Sequence, residues 1–256
     1  TTLNGECLQH EDGHIQIMAG NVPNCVSYDP TFSHELMVIM QNGMERMFKK
    51  QENIFYYITT MNENYSHPGL SKGQEKNIVK GMYLLQKGKK GKMRVQLLGS
   101  GSILREAIAA ADLLSADFKV EADIWSCTSF NQLKRDGDDV SRWNMLHPDK
   151  KPKMSHVEKC LLDTDGPVVA ATDYVKLFAD QIRAYVPRSY SVLGTDGFGR
   201  SDSRQALRKH FEVDRYYIAV ASLNALMEDG SVSFKTVNAA IKKYGIDPNK
   251  NNPLMS

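Results

Sequence analysis

Apolar positions along the chain follow two periods. Phe32, Leu36, Ile39, Met40, Met44 and Met47 recur at near-helical spacing. Asp29-Pro30 ahead of them reads as an N-cap and a first-turn proline, which predicts a helix running to about Phe48. Ile54–Met61 is rich in aromatic and β-branched residues and predicts a buried strand. The polar, turn-rich stretch Asn62–Gly69 marks a domain boundary. Beyond it, Gly81–Gln86 and Met93–Leu98 read as a strand pair joined by a solvated basic loop, Lys87–Lys92. Gly99–Ser102 closes a strand, and Ile103–Leu114 opens an alanine-rich helix. Val120–Cys127, Val168–Thr172 and Tyr190–Thr195 predict further strands, whereas Arg135–Pro152 reads as a long polar loop. Tyr174–Val186, Ser203–Phe211, Asp214–Met227 and Ser233–Gly245 predict helices, the last ending on its glycine. Strands alternating with helices in this way imply right-handed βαβ units. The expected class is α/β, with a mostly parallel sheet flanked by helices.

Composition narrows the function classes. At about 150 residues per domain, 256 residues make one to two domains. Thirty-two basic against 30 acidic residues leave +2, which argues against a protein that tracks nucleic-acid phosphates. No stretch reaches the ~18 apolar residues of a membrane span, so no membrane partner is expected. The start, Thr1–Glu6, lacks an initiator Met and a basic-then-apolar signal pattern, and it reads as cut from something longer. Cys7, Cys25, Cys127 and Cys160 form no C-x-x-C pair and are too sparse for a disulfide scaffold. They read as reduced and mostly buried, hence cytoplasmic.

Several segments carry candidate chemistry. His10-Glu11-Asp12-Gly13-His14 satisfies H-E-x-x-H literally, but Asp-Gly is poor helix material, so the histidines are expected on a turn rather than gripping zinc from one helical face. Gly99-Ser100-Gly101-Ser102 before a helix resembles a phosphate cradle. It lacks the third glycine of a dinucleotide fingerprint and the lysine of a P-loop, so a tightly packed turn is favoured over an anion site. In Gly194–Ser203, Gly197 and Gly199 permit positive φ, Ser201 or Asp202 is a candidate cap, and Arg200 and Arg204 are candidate carboxylate holders.

Thr1–His14, Pro23–Pro30, Tyr57–Tyr65, Arg142–Pro148 and Gly194–Ser203 together carry a family resemblance. From end to end the chain resembles the C-terminal part of the homodimeric-type bacterial pyruvate dehydrogenase first component, a transketolase-like, thiamine-diphosphate-dependent decarboxylating subunit. The resemblance implies that residues 1–70 are the C-terminal half of a pyrimidine-binding domain, and that residues 71–256 are a transketolase C-terminal-like domain serving the dimer. It implies decarboxylation of pyruvate on thiamine diphosphate and Mg2+, then reductive acetylation of the lipoyl domain of the dihydrolipoyl acetyltransferase component. His10 matches the active-site histidine, whose imidazole suits donation to a developing charge or relay of a proton. Glu6 matches an acidic residue that would hold that histidine charged, and His14 shares the turn as a cofactor contact. Where the wider transketolase family has a further histidine, this chain has Gln16. The diphosphate and metal ligands, and the glutamate that protonates the aminopyrimidine, are expected outside this chain. Arg135-Asp136-Gly137-Asp138 lacks the asparagine partner of a magnesium–diphosphate signature. The alternative is a non-catalytic transketolase C-terminal-like module that dimerises, or binds an anion or partner through Gly99–Ser102 or Arg200.

Overall fold

The computed structural model describes residues 12–255. In chain order the elements are α1 (Ile15–Gly20), β1 (Cys25–Tyr28), α2 (Ser33–Met44) prolonged by a π-helical turn, β2 (Phe55–Ile58) and α3 (Glu75–Lys80). There follow β3 (Tyr83–Gln86), β4 (Met93–Gly99), α4 (Leu104–Phe118), β5 (Val120–Ser126), α5 (Phe130–Leu146) and α6 (His156–Leu161). The chain continues through β6 (Val168–Ala171), α7 (Lys176–Asp180), β7 (Tyr190–Leu193), α8 (Arg204–His210), α9 (Arg215–Glu228) and α10 (Phe234–Lys243).

Two sheets result. β1 and β2 pair in parallel, and a second sheet runs β3-β5-β4-β6-β7, with only β3 antiparallel to its neighbour. Both faces of the larger sheet are covered, and β6 is accordingly apolar throughout, whereas β4 and β5 alternate with polar residues over their first four positions. Val95, Leu97, Ala122, Ile124 and Val169 pack against α4 and α9 on one side. Leu98, Trp125, Val168 and Ala170 pack against Phe130, Leu133, Val157 and Phe178 on the other. A smaller cluster of Val26, Tyr28, Ile39, Ile78 and Tyr83 joins the two-stranded sheet to the rest.

Five expectations are corrected. The segment after Arg135 is not a loop: it belongs to the 17-residue α5, opened by Ser129, whose Oγ accepts from the Gln132 amide at 3.0 Å. Gly137 faces the core there, where the Tyr185 ring fills the space a Cβ would need. Second, β3 and β4 do not pair; β5 lies between them, because the β4–α4–β5 crossover returns β5 to that flank. Third, α2 starts at Ser33, because Glu35 Oε2 reaches back to the amides of Thr31 (2.6 Å) and Phe32 (2.9 Å) while Asp29 turns inward. Fourth, Ser203 rather than Ser201 or Asp202 caps α8, accepting from the Ala206 amide at 3.3 Å. Fifth, the helix expected over 174–186 shortens to α7 and a separate 3-10 turn, Arg183–Tyr185.

Candidate active site

The turns leaving β1, β4, β5 and β6 meet. The amide of Asp29 donates to Thr128 O (2.8 Å), and the amide of Gly101 donates to Asp29 O (3.2 Å). Thr31 Oγ1 donates to Gly101 O at 2.7 Å, and the Ser100 and Thr172 hydroxyls lie 3.1 Å apart. Ser102 Oγ donates to Asp173 Oδ2 at 3.1 Å. This is the carboxyl-end crevice beside β4, where the strand order reverses and where open α/β sheets commonly bind ligands. Here the chain fills the crevice with its own Asp29. Gly101 adopts φ +50°, and a Cβ on it would sit 2.5 Å from Asp29 Oδ2. The Gly99–Ser102 turn is therefore small because a carboxyl packs against it, which supports the packed-turn reading of that segment.

Asp29 is fully enclosed. Burial pushes its carboxyl up to about 7, against the Thr59 hydroxyl that donates to Oδ1 at 2.7 Å. The neighbouring Asp173 and Glu35 carboxylates push in the same direction as burial. Oδ2 has no hydrogen-bond partner among the described residues.

The described end of the histidine segment, Asp12–His14, adjoins this crevice. His10 and Glu6 lie outside the described residues. Asp12 and Gly13 lead into His14, the exposed residue preceding α1, whose carbonyl accepts from the amides of Ile17 (3.0 Å) and Met18 (3.2 Å). Gly13 and His14 form the bend, and α1 begins only after His14. Gly13 O accepts from the Val175 amide at 3.0 Å, and the Tyr57 hydroxyl donates to Asp12 Oδ2 at 3.3 Å. Partial burial first, and Asp12 second, push the Tyr57 phenol up to about 12.

Gln16 does not stand in for a histidine on the site surface. Its side chain is fully buried, with Nε2 3.4 Å from Tyr28 O and 3.3 Å from Thr59 Oγ1, so it ties α1 to the β1–β2 sheet. Sequence reading missed both this tie and the burial of Asp29. The signal available for Asp29 was its place immediately after a strand, which an N-cap reading explained equally well.

Of the two arginines singled out at the glycine-rich stretch, Arg204 belongs to an ion-pair network. Glu63 holds Arg105 (2.6 Å) and Arg208 (2.9 Å), with Arg204 at 3.8 Å. Glu106 holds Arg208 (3.2 Å) and Arg215 (2.9 Å). Arg200 is exposed. Asp136 and Asp138 sit within α5, where Asp136 accepts the His156 amide at 2.5 Å and Asp138 is held by Lys134 and Tyr185. Cys25, Cys127 and Cys160 are free, the first two buried. No helix among the described residues is long and apolar enough to cross a membrane.

Comparison with known proteins places the chain. Residues 1–68 match the "Pyruvate dehydrogenase E1 component middle domain" family, and residues 81–214, just over half of the chain, match the "Transketolase-like TK C-terminal domain" family. The pyruvate dehydrogenase E1 component of Pseudomonas aeruginosa is 59% identical over 256 residues, 99% of this chain and 29% of that protein. That of Cupriavidus necator is 58% identical with the same coverage. That of Escherichia coli K12 is 54% identical over 258 residues, all of this chain and 29% of that protein. The chain thus spans under a third of the length of these relatives. Among solved structures, a transketolase from Pichia stipitis in complex with sedoheptulose 7-phosphate superposes with TM-score 0.62 at 17% identity, over 88% of this chain and 29% of that one. The transketolase of Campylobacter jejuni gives 0.56 at 16% identity, over 86% and 29%. At these identities the likeness establishes the fold, α/β with a mostly parallel sheet flanked by helices. The chain belongs to the transketolase-like TK C-terminal domain family and is similar over its whole length to pyruvate dehydrogenase E1 components.

Proposed function

We propose that the chain forms one wall of the active site of a pyruvate dehydrogenase (acetyl-transferring) subunit. That subunit decarboxylates pyruvate on thiamine diphosphate and reductively acetylates the lipoyl domain of the dihydrolipoyl acetyltransferase component, as a cytoplasmic homodimer within the multienzyme complex. The observation that carries this reading is identity of 54–59% sustained over 99–100% of the chain to E1 components.

In this reading residues 1–70 complete the pyrimidine-binding domain and residues 71–256 form the transketolase C-terminal-like domain. The change of matching family between residues 68 and 81 supports that division. So does the smaller sheet, since two strands are marginal by themselves. Its flanking helix leaves Met37, Met40, Met44 and Phe48 exposed, an apolar stripe suited to burial against further protein.

Thiamine diphosphate with Mg2+ supplies, when bound, the carbon nucleophile and electron sink that decarboxylation needs. The described residues do not fit its diphosphate and metal end: the crevice at Gly99–Ser102 is filled by a carboxyl, and Asp136 and Asp138 are engaged within α5. Those ligands are accordingly assigned outside this chain. His10 is the catalytic residue proposed here. Its imidazole would donate to the negative charge that develops on the substrate and move a proton, and Glu6 would keep the ring charged. His14, exposed at the head of α1, is proposed as a lesser contact from the same turn.

The test is His10→Ala in the complete enzyme. Turnover should fall about 10²–10⁴-fold, the range of a general acid–base group. Unchanged turnover would make His10 a bystander and favour the non-catalytic module. Calorimetric titration of this chain alone with thiamine diphosphate and Mg2+ should show no micromolar binding, and such binding would contradict the domain assignment.

A further inference from the structure

The short helix α1 has an unusual anchorage. Six residues are too few to hold a helix in water by propensity, so its position must come from tertiary contacts. The apolar share of those contacts is small, since Ile15 and Ile17 are only partly buried against the cluster beneath α5 and α7. The polar share is large, and most of it comes from one helix. Asn131 and Arg135, one turn apart on α5, grip the chain from residue 16 to residue 25. Asn131 Nδ2 donates to Gln16 O at 2.7 Å and lies 2.6 Å from Ser27 Oγ. Asn131 Oδ1 in turn accepts from Gln181 Nε2 at 2.8 Å, which fixes the amide's orientation. Arg135 spreads its guanidinium over three carbonyls: Cys25 (2.7 Å), Val22 (2.9 Å) and Gly20 (3.3 Å). Two of these are the last carbonyl of α1 and one just beyond it, where a positive charge also suits the helix dipole.

Gly20 shows from the other side how close the contact is. A Cβ there would lie 2.8 Å from Asn131 Oδ1. The segment so held begins immediately after His14, which is its N-cap.

We propose that Asn131 and Arg135 are positioning residues for the reaction: α5 holds α1 in place and so fixes His14 at its head, four residues after His10 in the chain. The proposal rests on the function proposed above. It links residues more than a hundred positions apart in sequence, and it gives α5 a role in turnover through the peptide carbonyls it binds. A misplacement of the order of 1 Å, even from a change far from the chemistry, is enough to cost about a hundredfold in rate.

The experiment uses the complete enzyme carrying Asn131→Asp, Arg135→Gln or Gly20→Ala. Asn131→Asp keeps the shape but replaces the donor to Gln16 O by an acceptor. Gly20→Ala perturbs the same contact without touching α5, and serves if either α5 variant fails to fold. Expected are a fall in kcat of about 10–100-fold, a KM for pyruvate within about twofold of wild type, and faster amide hydrogen exchange across residues 15–22. Arg135→Lys, which keeps the charge but cannot span three carbonyls, should restore part of the loss. Unchanged kcat with faster exchange would overturn the positioning role and leave only a fold anchor. Unchanged exchange would overturn the clamp itself. His10→Ala measured alongside separates the two readings: if it leaves turnover intact, the proposed function has failed, whereas the exchange data still report on the clamp.

Discussion

Replacing Asp29 by Asn should make the chain more stable in mild alkali and less stable in acid. The folded protein holds this carboxyl at about 7, against an ordinary 3.8, because burial penalises its charged form. The sign follows from proton uptake. Below about pH 3.8 the group is protonated folded or unfolded, and the shift costs nothing. Between 3.8 and 7 the unfolded chain gives up its proton while the folded chain keeps it, so stability drains away as pH rises. Above 7 the cost is complete, at about 3 pH units times 1.36, or about 4 kcal/mol. Over the accessible range from pH 5 to 8, linkage places about 2.6 kcal/mol of this loss. Asparagine keeps the oxygen that accepts from Thr59 but puts an NH2 where Oδ2 has no partner among the described residues, at a cost of about 1–3 kcal/mol. The two curves should therefore cross between about pH 4.5 and 6, Asp29→Asn being the weaker protein at about pH 4 and the stronger by about 1–3 kcal/mol at pH 8. Urea unfolding of the chain, followed through buried Trp125, measures both. Every other titrating group is common to the pair, so the difference curve isolates Asp29. Parallel curves from pH 5 to 8 would refute the reasoning, because they would mean that the carboxyl ionises in place without penalty.

Two further expectations follow from the packing of the larger sheet's helices. Burial would raise the Glu106 carboxyl, but the hydrogen bonds from Arg215, helped by Arg208, outweigh it and hold the group below its ordinary 4.5. Its contribution is thus present above pH 4.5 and lost as pH falls through the depressed folded value. Glu106→Gln should cost about 2–4 kcal/mol by urea unfolding at pH 7, the low side of a broken buried pair because Arg208 keeps Glu63, and the deficit should shrink below pH 4. A deficit that persists unchanged at pH 3 would contradict this. Gly137→Ala, on the core face of α5, should destabilise by about 1–3 kcal/mol despite alanine's better helix propensity, since the Tyr185 ring occupies the Cβ position. A rise in the thermal midpoint would show that the ring moves aside freely.

Where the sequence was read correctly, the signal was periodic burial of apolar side chains; where it was misread, the buried stripe was polar or empty. The strands of the larger sheet announced themselves because both faces are covered: Val168–Ala171 is apolar throughout, and in Met93–Gly99 and Val120–Ser126 an alternating first half, with Arg94, Gln96, Glu121 and Asp123, leads into Leu97-Leu98 and Ile124-Trp125. Helix α5 did not, although it is the longest helix among the described residues. Its buried positions are Phe130, Asn131, Leu133 and Gly137, two of them without an apolar side chain, and its outer face carries Lys134, Asp138 and Asp139. An amide that hydrogen-bonds a distant carbonyl and a glycine that receives a tyrosine ring leave no trace in a hydrophobic period, so the segment looks like a loop. The same reason hides Asp29, whose burial depends on Thr59 and on the turn at Gly101, 30 and 72 positions away. The β3–β4 hairpin failed differently: adjacency and a lysine-rich link favour local pairing, and only the β4–α4–β5 crossover, a tertiary fact, inserts β5 between them. The histidine turn, by contrast, became a candidate through the likeness of whole segments and not through any spacing of its own. A helix that the sequence disguises as a loop supplies four of the hydrogen bonds that hold residues 16–25, and the placement of α1, with His14 at its head, therefore depends on residues 131 and 135.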